Sequence, residues 1–169
     1  MVTPSFDSDS MRPQSVTAAP LRHQPRLRRR HVVEPIAAVE IDSSVGWGRD
    51  VDIDTTGGIS IGAQTVITHR VLILTHEHRG LTAAPDLDQP FGELQPRPLQ
   101  IGAHVFIGES AVILPQCGSI GDWAVIGAFS VVTKPVGPGE IWAGNPARFL
   151  KMRAGMIRQS PDTLKTPGA

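Results

Sequence analysis

Aliphatic residues recur at every sixth position through much of the chain. Three runs carry this period: Ile61, Ile67, Ile73; Ile101, Ile107, Ile113; and Ile120, Ile126, Val132. In the second and third runs, a small or β-branched residue follows each of these positions by four residues: Val105, Ala111, Cys117, Ala124, Ser130 and Val136. Two inward positions in every six residues fit neither the 3.6-residue period of a helix nor the alternation of an ordinary strand. Hexapeptide periodicity is typical of β-helices, so the pattern predicts a β-solenoid with stacked Ile and Val in its bore.

The limits of the period divide the chain into three parts. Upstream, Val45 and Val51 keep the six-residue spacing, which four additional residues at 55–58 then interrupt. We expect the solenoid to start near Ile41. We expect it to end near Val136, where prolines and glycines break the period. Residues 1–34 show no period and predict a flexible arm. Residues 35–153 then form the folded domain, which includes a short closing segment at 141–153, and 154–169 form a polar tail.

One segment interrupts the repeats. The 28 positions between Ile73 and Ile101 are not a multiple of six, so residues 74–100 predict a loop that leaves the solenoid. A loop of this length in a compact domain is usually functional or disordered. It opens with Thr75-His76-Glu77-His78.

Composition excludes several classes of protein. Sixteen Lys and Arg balance sixteen Asp and Glu, so no overall basic field is available to hold a nucleic acid. A single cysteine rules out an internal disulfide and a cysteine-based zinc site. The chain has no apolar run long enough to span a bilayer and no signal-peptide pattern in its first 30 residues. We therefore expect a soluble, cytoplasmic protein.

Six motifs carry a resemblance to a known family. They are GGISIG (57–62), ILTHEH (73–78), IGAHVFIG (101–108), ILPQCGSIG (113–121), IGAFSVVTK (126–134) and GNPAR (144–148). Through them the chain resembles the hexapeptide-repeat acyltransferases, and among these the O-acetyltransferases of maltose, galactosides, nodulation factors and capsular polysaccharides. The resemblance runs from about Asp50 to Arg153. It implies an all-β fold, a left-handed parallel β-helix, assembled as a homotrimer with active sites between subunits. It also implies acetyl-CoA as donor and a sugar or glycan hydroxyl as acceptor, with neither the acceptor nor the choice of acetyl over another short acyl group fixed.

The chemistry of acyl transfer to a hydroxyl requires a base, because an alcohol is a weak nucleophile at neutral pH. A neutral histidine is the obvious candidate. The T-x-x-H placement in the resembling family assigns this role to His78, with direct attack on the thioester and no acyl-enzyme. For His76 an exposed loop imidazole is the simpler interpretation, although His76, Asp54 and Glu77 are also candidates for contact with the acceptor.

The resemblance also implies a donor site, without a metal. Pantetheine contacts fall on the segment around Ala128, and an oxyanion donor falls at the Gly108–Glu109 turn. The residues that the resemblance places at the CoA phosphates are Thr133, which offers a hydroxyl, and the cations Lys134 and Arg148. Ordinary surface charge is the alternative for Lys134 and Arg148.

Three other interpretations compete with this one. A zinc enzyme like the gamma-class carbonic anhydrases, which share the solenoid, would use His69, His76, His78 or His104 as ligands. A non-catalytic hexapeptide scaffold would need no histidine loop. A covalent acyl-cysteine would need Cys117 to be reactive, whereas its inward position predicts an inert core thiol.

Overall fold

Short β-strands are the main regular elements of the described residues. The structure is a computed structural model that describes residues 23–28, 37–79 and 92–156. Its strands, in chain order, are β1 (Arg26–Arg28), β2 (Val39–Ile41), β3 (Gly46–Trp47), β4 (Asp52–Asp54), β5 (Ile59–Ile61), β6 (Val66–Ile67), β7 (Leu72–Ile73), β8 (His76–Arg79), β9 (Glu93–Pro96), β10 (Leu99–Ile101), β11 (Phe106–Ile107), β12 (Val112–Ile113), β13 (Ser119–Ile120), β14 (Val125–Ile126), β15 (Val131–Val132), β16 (Glu140–Gly144) and β17 (Ala147–Met152). A 3₁₀ turn at Pro115–Cys117 separates β12 from β13. The described residues contain no helix long and apolar enough to cross a membrane.

All the strands except β8 and β9 belong to three sheets that the chain visits in rotation. Sheet A has the order β3-β6-β11-β14-β16-β17, sheet B the order β1-β4-β7-β12-β15, and sheet C the order β2-β5-β10-β13. Within sheets A, B and C, all neighbouring strands are parallel except β16 and β17. Each circuit of the chain, called a coil here, adds one strand to each sheet. The structure is therefore nearly all β and parallel, as the period predicted.

The core lies between the three sheets. The residues at both predicted inward positions of the hexapeptides are buried, with side chains from neighbouring coils stacked in rows. Within each two-residue strand the second residue points inward, as Ile67, Ile107 and Ile126 do in adjacent strands of sheet A. Branched aliphatic side chains suit such rows because they pack on the pleated surface with little loss of rotamer freedom. The inward positions predicted from the sequence are confirmed.

Paired strands lie beyond both limits that the six-residue period indicated, Ile41 and Val136. Strand β1 lies inside the expected arm and pairs with β4, with ion pairs Arg26–Asp50 at 3.6 Å and Arg28–Asp52 at 3.7 Å. Backbone hydrogen bonds and charge hold it, so it leaves no hydrophobic period. At the other end, β16 continues sheet A beyond Val136 and buries Trp142. The expected end near Val136 was too early, because the last coil is filled by an indole after a break in the period.

The loop of 74–100 begins and ends as a hairpin. Strand β8 pairs antiparallel with β9, and His76 lies opposite Pro96 while His78 lies opposite Leu94. The described residues of the excursion are 74–79 and 92–100. The hairpin starts directly after β7 of sheet B and returns directly before β10 of sheet C.

Candidate active site

A buried carboxylate lies at the base of the hairpin. Strand β4 ends at Asp54, whose side chain has no solvent exposure. Its Oδ1 accepts hydrogen bonds from the amide of Thr56 at 3.0 Å and from the Thr56 hydroxyl at 2.6 Å. Its Oδ2 accepts from the amide of Thr75 at 3.0 Å, and the Thr75 hydroxyl, which donates to the main-chain carbonyl of Asp54 at 2.9 Å, lies 3.1 Å from Oδ2. The carboxylate therefore ties the end of β4 to the residue from which the hairpin departs.

His76 is a further hydrogen-bond donor to this carboxylate. Its Nδ1 lies 2.6 Å from Oδ2 of Asp54. Burial works to raise the pKa of Asp54, but hydrogen bonds from the Thr56 hydroxyl, from His76 and from the Thr75 and Thr56 amides hold that pKa well below its ordinary value. An ionised carboxylate can only accept, so Nδ1 of His76 donates, and in the neutral ring the lone pair is left on Nε2.

The expectation of an exposed loop imidazole at His76 is wrong. Its side chain is only 11% exposed. The reason is the contact with Asp54, which lies 22 residues earlier and which no local pattern connects to the loop.

His78 lies on the same side of the hairpin as His76. The two rings are 5.6 Å apart between centroids and meet edge to face at 77°. This follows from strand geometry, since residues two apart on a strand project to the same face. The structure therefore brings together both histidines of the motif and the buried Asp54.

Glu77 projects to the opposite face and holds the hairpin to the coils. Its Oε1 accepts a hydrogen bond from Nε of Arg97 at 2.8 Å and pairs also with Nη2, and its Oε2 accepts from Nε2 of Gln116 at 2.8 Å. Both carboxylate oxygens are thus engaged within the protein. Arg97 and Gln116 carry no periodic signal, and sequence reasoning missed them.

Gly57 allows the hairpin to leave and return at one point. Its amide donates to Oγ1 of Thr75 at 2.9 Å, and the Thr75 carbonyl accepts from the amide of Arg97 at 2.7 Å. A Cβ at Gly57 would lie 2.0 Å from the Thr75 oxygen and 2.5 Å from the Arg97 nitrogen. The four-residue slip of the period at 55–58 was the sequence signal of this arrangement.

Three of the predicted donor-site residues lie in connections between sheets A and B. Gly108 donates its amide hydrogen to the carbonyl of Ile126 at 2.8 Å, and a Cβ there would lie 2.5 Å from the amide nitrogen of Ala128. Gly108 and Ala128 are therefore neighbours in adjacent coils. Glu109 forms an ion pair with Arg70 of the preceding coil.

The other predicted donor-site residues lie elsewhere. Thr133 and Lys134 follow β15 in a connection between sheets B and C, two strands along sheet B from β7. Arg148 lies on β17, and its Nη1 donates to the carbonyl of Ala147 at 2.9 Å. Within one chain, sheet B separates the histidine hairpin from the turn at Gly108 and Ala128, and the structure does not bring the two groups together.

The histidines of the zinc interpretation do not converge within the chain. His69 lies between sheets A and B, where its Nδ1 accepts the Arg49 amide at 2.8 Å, and His104 stacks on Trp123 with centroids 4.0 Å apart. Both are outside the hairpin that carries His76 and His78. Among residues 23–28, 37–79 and 92–156, no three His, Cys, Asp or Glu side chains are grouped as a metal site would require.

Cys117 is a core residue in the structure. It is completely buried, and its Sγ donates to the carbonyl of Ser119 at 3.4 Å. Burial raises the pKa of the thiol to about 12, which makes the reactive thiolate rare.

Comparisons with known proteins point to O-acetyltransferases. A galactoside O-acetyltransferase of Escherichia coli (strain K12) is 33% identical over 121 residues, which are 70% of this chain and 59% of that protein. A putative lipopolysaccharide biosynthesis O-acetyl transferase of the same strain is 30% identical over 106 residues, 60% of this chain and 54% of that protein. The crystal structure of the polySia-specific acetyltransferase NeuO matches with a TM-score of 0.55 and 25% identity, covering 73% of this chain and 55% of that one.

The extent of these matches is limited. The chain spans 54% and 59% of the lengths of the two curated relatives. No family model matches the chain. The resemblance to hexapeptide-repeat sugar O-acetyltransferases, first seen in the motifs, is confirmed by the names of these relatives and by the shared fold.

Proposed function

We propose that this chain, similar as it is to sugar O-acetyltransferases, transfers an acetyl group from acetyl-CoA to a hydroxyl of a sugar or glycan. The observation that carries the proposal is the imidazole pair on β8, tied through His76 to the buried carboxylate of Asp54. A scaffold has no need of a hairpin whose polar face is organised in this way. The coil architecture and the names of the relatives supply the reaction class.

His78 is the general base of this proposal. It takes the proton of the acceptor hydroxyl as the oxygen attacks the thioester carbonyl. A C–O bond forms, and collapse of the tetrahedral intermediate breaks the C–S bond. The proton then passes from His78 to the departing sulfur, which leaves as CoA thiol. No acyl-enzyme is formed.

The oxyanion of that intermediate requires a hydrogen-bond donor. The turn at Gly108 and Glu109 is the proposed source, and the amide of Gly108 already donates to Ile126. The Glu109 amide is therefore the donor we assign. One preorganised donor of this kind typically contributes about 3 kcal/mol to transition-state stabilisation.

The donor lies along the turns that hold Ala128 and Thr133. The pantetheine arm contacts backbone around Ala128, and the CoA phosphates contact Thr133, Lys134 and Arg148. Lys134 and Arg148 are exposed, so both cations are accessible to a phosphate. Charge-assisted hydrogen bonds to phosphate are about twice as strong as neutral ones. Of the acceptor candidates, Asp54 is buried and Glu77 is bound by Arg97, which leaves the face of β8 that carries His78 for the acceptor.

The complete site is proposed to form between subunits of a homotrimer of left-handed β-helices. The hairpin and the Gly108 turn lie on opposite borders of sheet B in one chain, and a neighbouring subunit can supply the second group to the first. The outer faces support this assembly, because two of them carry apolar rows that need cover. Sheet A presents Val66, Phe106 and Val125; sheet B presents Leu72, Val112 and Val131; sheet C presents the polar Ser60, Gln100 and Ser119.

A thiol-release assay tests the function. Acetyl-CoA and other short acyl-CoA donors are offered with a panel of sugars and oligosaccharides, and free CoA thiol is measured with the acetylated product. His78→Ala should lower kcat at least about 10²-fold, the low end of what a positioned base contributes. His104→Ala is the matched control, since that imidazole stacks on Trp123 away from the hairpin.

Two outcomes would contradict the proposal. If His78→Ala keeps full turnover, His78 is not the general base. If no tested combination of donor and acceptor releases CoA thiol, a non-catalytic scaffold is favoured. Light scattering at micromolar concentration measures the assembly in the same samples. A monomer that is fully active would contradict the shared site.

A further inference from the structure

We propose that Asp54 and His76 form a positioning pair for His78, in which Asp54 fixes the ring of His76 and His76 fixes the ring of His78. The inference rests on the proposed function, since it assigns to His78 the role of base. It adds two residues that act through another residue and do not themselves take the proton of the acceptor.

The first step is that Asp54 is immobile. It ends β4, directly after the fully buried Ile53. Four hydrogen bonds, from the amides of Thr56 and Thr75, the Thr56 hydroxyl and the His76 ring, hold its two carboxylate oxygens. A side chain held by this many bonds inside the core has one orientation, so it serves as a fixed reference for the hairpin.

The second step is that the hydrogen bond selects one tautomer of His76. Because the Asp54 carboxylate only accepts, the proton of the neutral ring stays on Nδ1. The bond also fixes the plane of the ring, since an N–H donor must point at its acceptor. With its side chain 11% exposed, His76 has little freedom to adopt another rotamer.

The third step is the contact between the two rings. The edge-to-face arrangement at 5.6 Å lies in the range that aromatic pairs prefer. The χ2 angle of a histidine is broad, so the direction of its ring nitrogens depends on neighbouring contacts. A general base must hold its nitrogen within hydrogen-bond reach of the proton that it removes. His76 meets this need by packing against one side of His78.

Three variants separate the hydrogen bond from the ring contact. Asp54→Asn replaces an acceptor with an amide, His76→Asn keeps an N–H near the position of Nδ1 but removes the ring, and His76→Phe keeps a ring but removes the donor. Each should lower kcat about 10- to 100-fold and change the KM of donor and acceptor less than about threefold. Asp52→Asn is the control on the same strand, since that carboxylate pairs with Arg28 on the strand β1, and it should leave kcat unchanged.

The action through His78 is tested by combining variants. In a His78→Ala background, His76→Asn and His76→Phe should have no further effect on the residual rate, because positioning is lost with the residue that is positioned. A further loss of tenfold or more would show that His76 acts on the substrate directly and would overturn the inference. Unchanged kcat in both folded single variants of His76 would also overturn it.

A spectroscopic measurement tests the pair without turnover. Long-range ¹⁵N spectra of the imidazoles at about pH 8.5, where histidines are ordinarily neutral, distinguish the two tautomers. His76 should be the Nδ1–H tautomer in the wild type and should lose that preference in Asp54→Asn. An Nε2–H tautomer in the wild type would refute the pairing. If the wild type transfers no acyl group, the proposed function has failed. The tautomer of His76 is measured without turnover and still tests its hydrogen bond to Asp54.

Discussion

Replacement of Gly57 by alanine is the sharpest test of how the hairpin is held. The new Cβ would lie 2.0 Å from the carbonyl oxygen of Thr75, and 2.5 Å and 2.7 Å from the amide nitrogen and carbonyl oxygen of Arg97. All three atoms are backbone atoms, so no side chain can rotate away to relieve the clash. The hydrogen bond from the Arg97 amide to the Thr75 carbonyl, at 2.7 Å, lies directly in the path of the methyl group.

The expected cost is the sum of two effects. Inserting a methyl group into close-packed structure costs about 1–3 kcal/mol, and loss of a buried backbone hydrogen bond adds about 1 kcal/mol. We expect the free energy of unfolding of Gly57→Ala to fall by about 2–4 kcal/mol, as measured by urea denaturation followed by circular dichroism. Because the clash is at the base of the hairpin, kcat should fall in the fraction that remains folded.

The control for this variant is Gly46→Ala. Gly46 lies in β3, whereas Gly57 lies in the turn between β4 and β5, and a Cβ at Gly46 meets only Cγ2 of Val66 at 3.6 Å, an ordinary contact. Its free energy of unfolding should change by less than about 0.5 kcal/mol. If Gly57→Ala were as stable as Gly46→Ala, the close approach of Thr75 and Arg97 at this glycine would be wrong.

Two further predictions follow from titratable groups. The pKa of Asp54 in the folded protein is held below its unfolded value, so its contribution to stability is complete above about pH 5 and is lost as the pH falls further. Urea unfolding at several pH values should therefore show the gap between wild type and Asp54→Asn closing below that pH, and a constant gap would contradict the hydrogen-bonded carboxylate. Burial raises the pKa of the Cys117 thiol to about 12 and removes it from solvent, so a disulfide reagent at about pH 8 should modify it far more slowly than it modifies the unfolded chain. Rapid reaction in the native protein would show that the thiol is accessible.

The sequence determined the coils, the core and the place where a loop leaves the coils. A six-residue period assigns every Ile and Val of a coil to the bore or to the surface, because neighbouring coils repeat the same geometry. The spacing of 28 residues between Ile73 and Ile101 is not a multiple of six, and for the same reason it located the loop at 74–100. The period failed where other forces hold the chain. Strand β1 is held by backbone bonds and charges, and the last coil is filled by Trp142.

The tertiary structure alone decided how the site is organised. Asp54 and His76 are 22 residues apart, and Glu77 lies 39 residues from Gln116, so their bonds exist only because coils stack. The sequence singled out the Thr75–His78 motif but predicted an exposed imidazole at His76, which the structure shows to be largely buried. Which histidine faces a buried carboxylate depends on the alignment of β4 with β7, and on the point where the hairpin departs. Side-chain hydrogen bonds require placement within a few tenths of an ångström, and a repeat pattern fixes only which face a residue occupies.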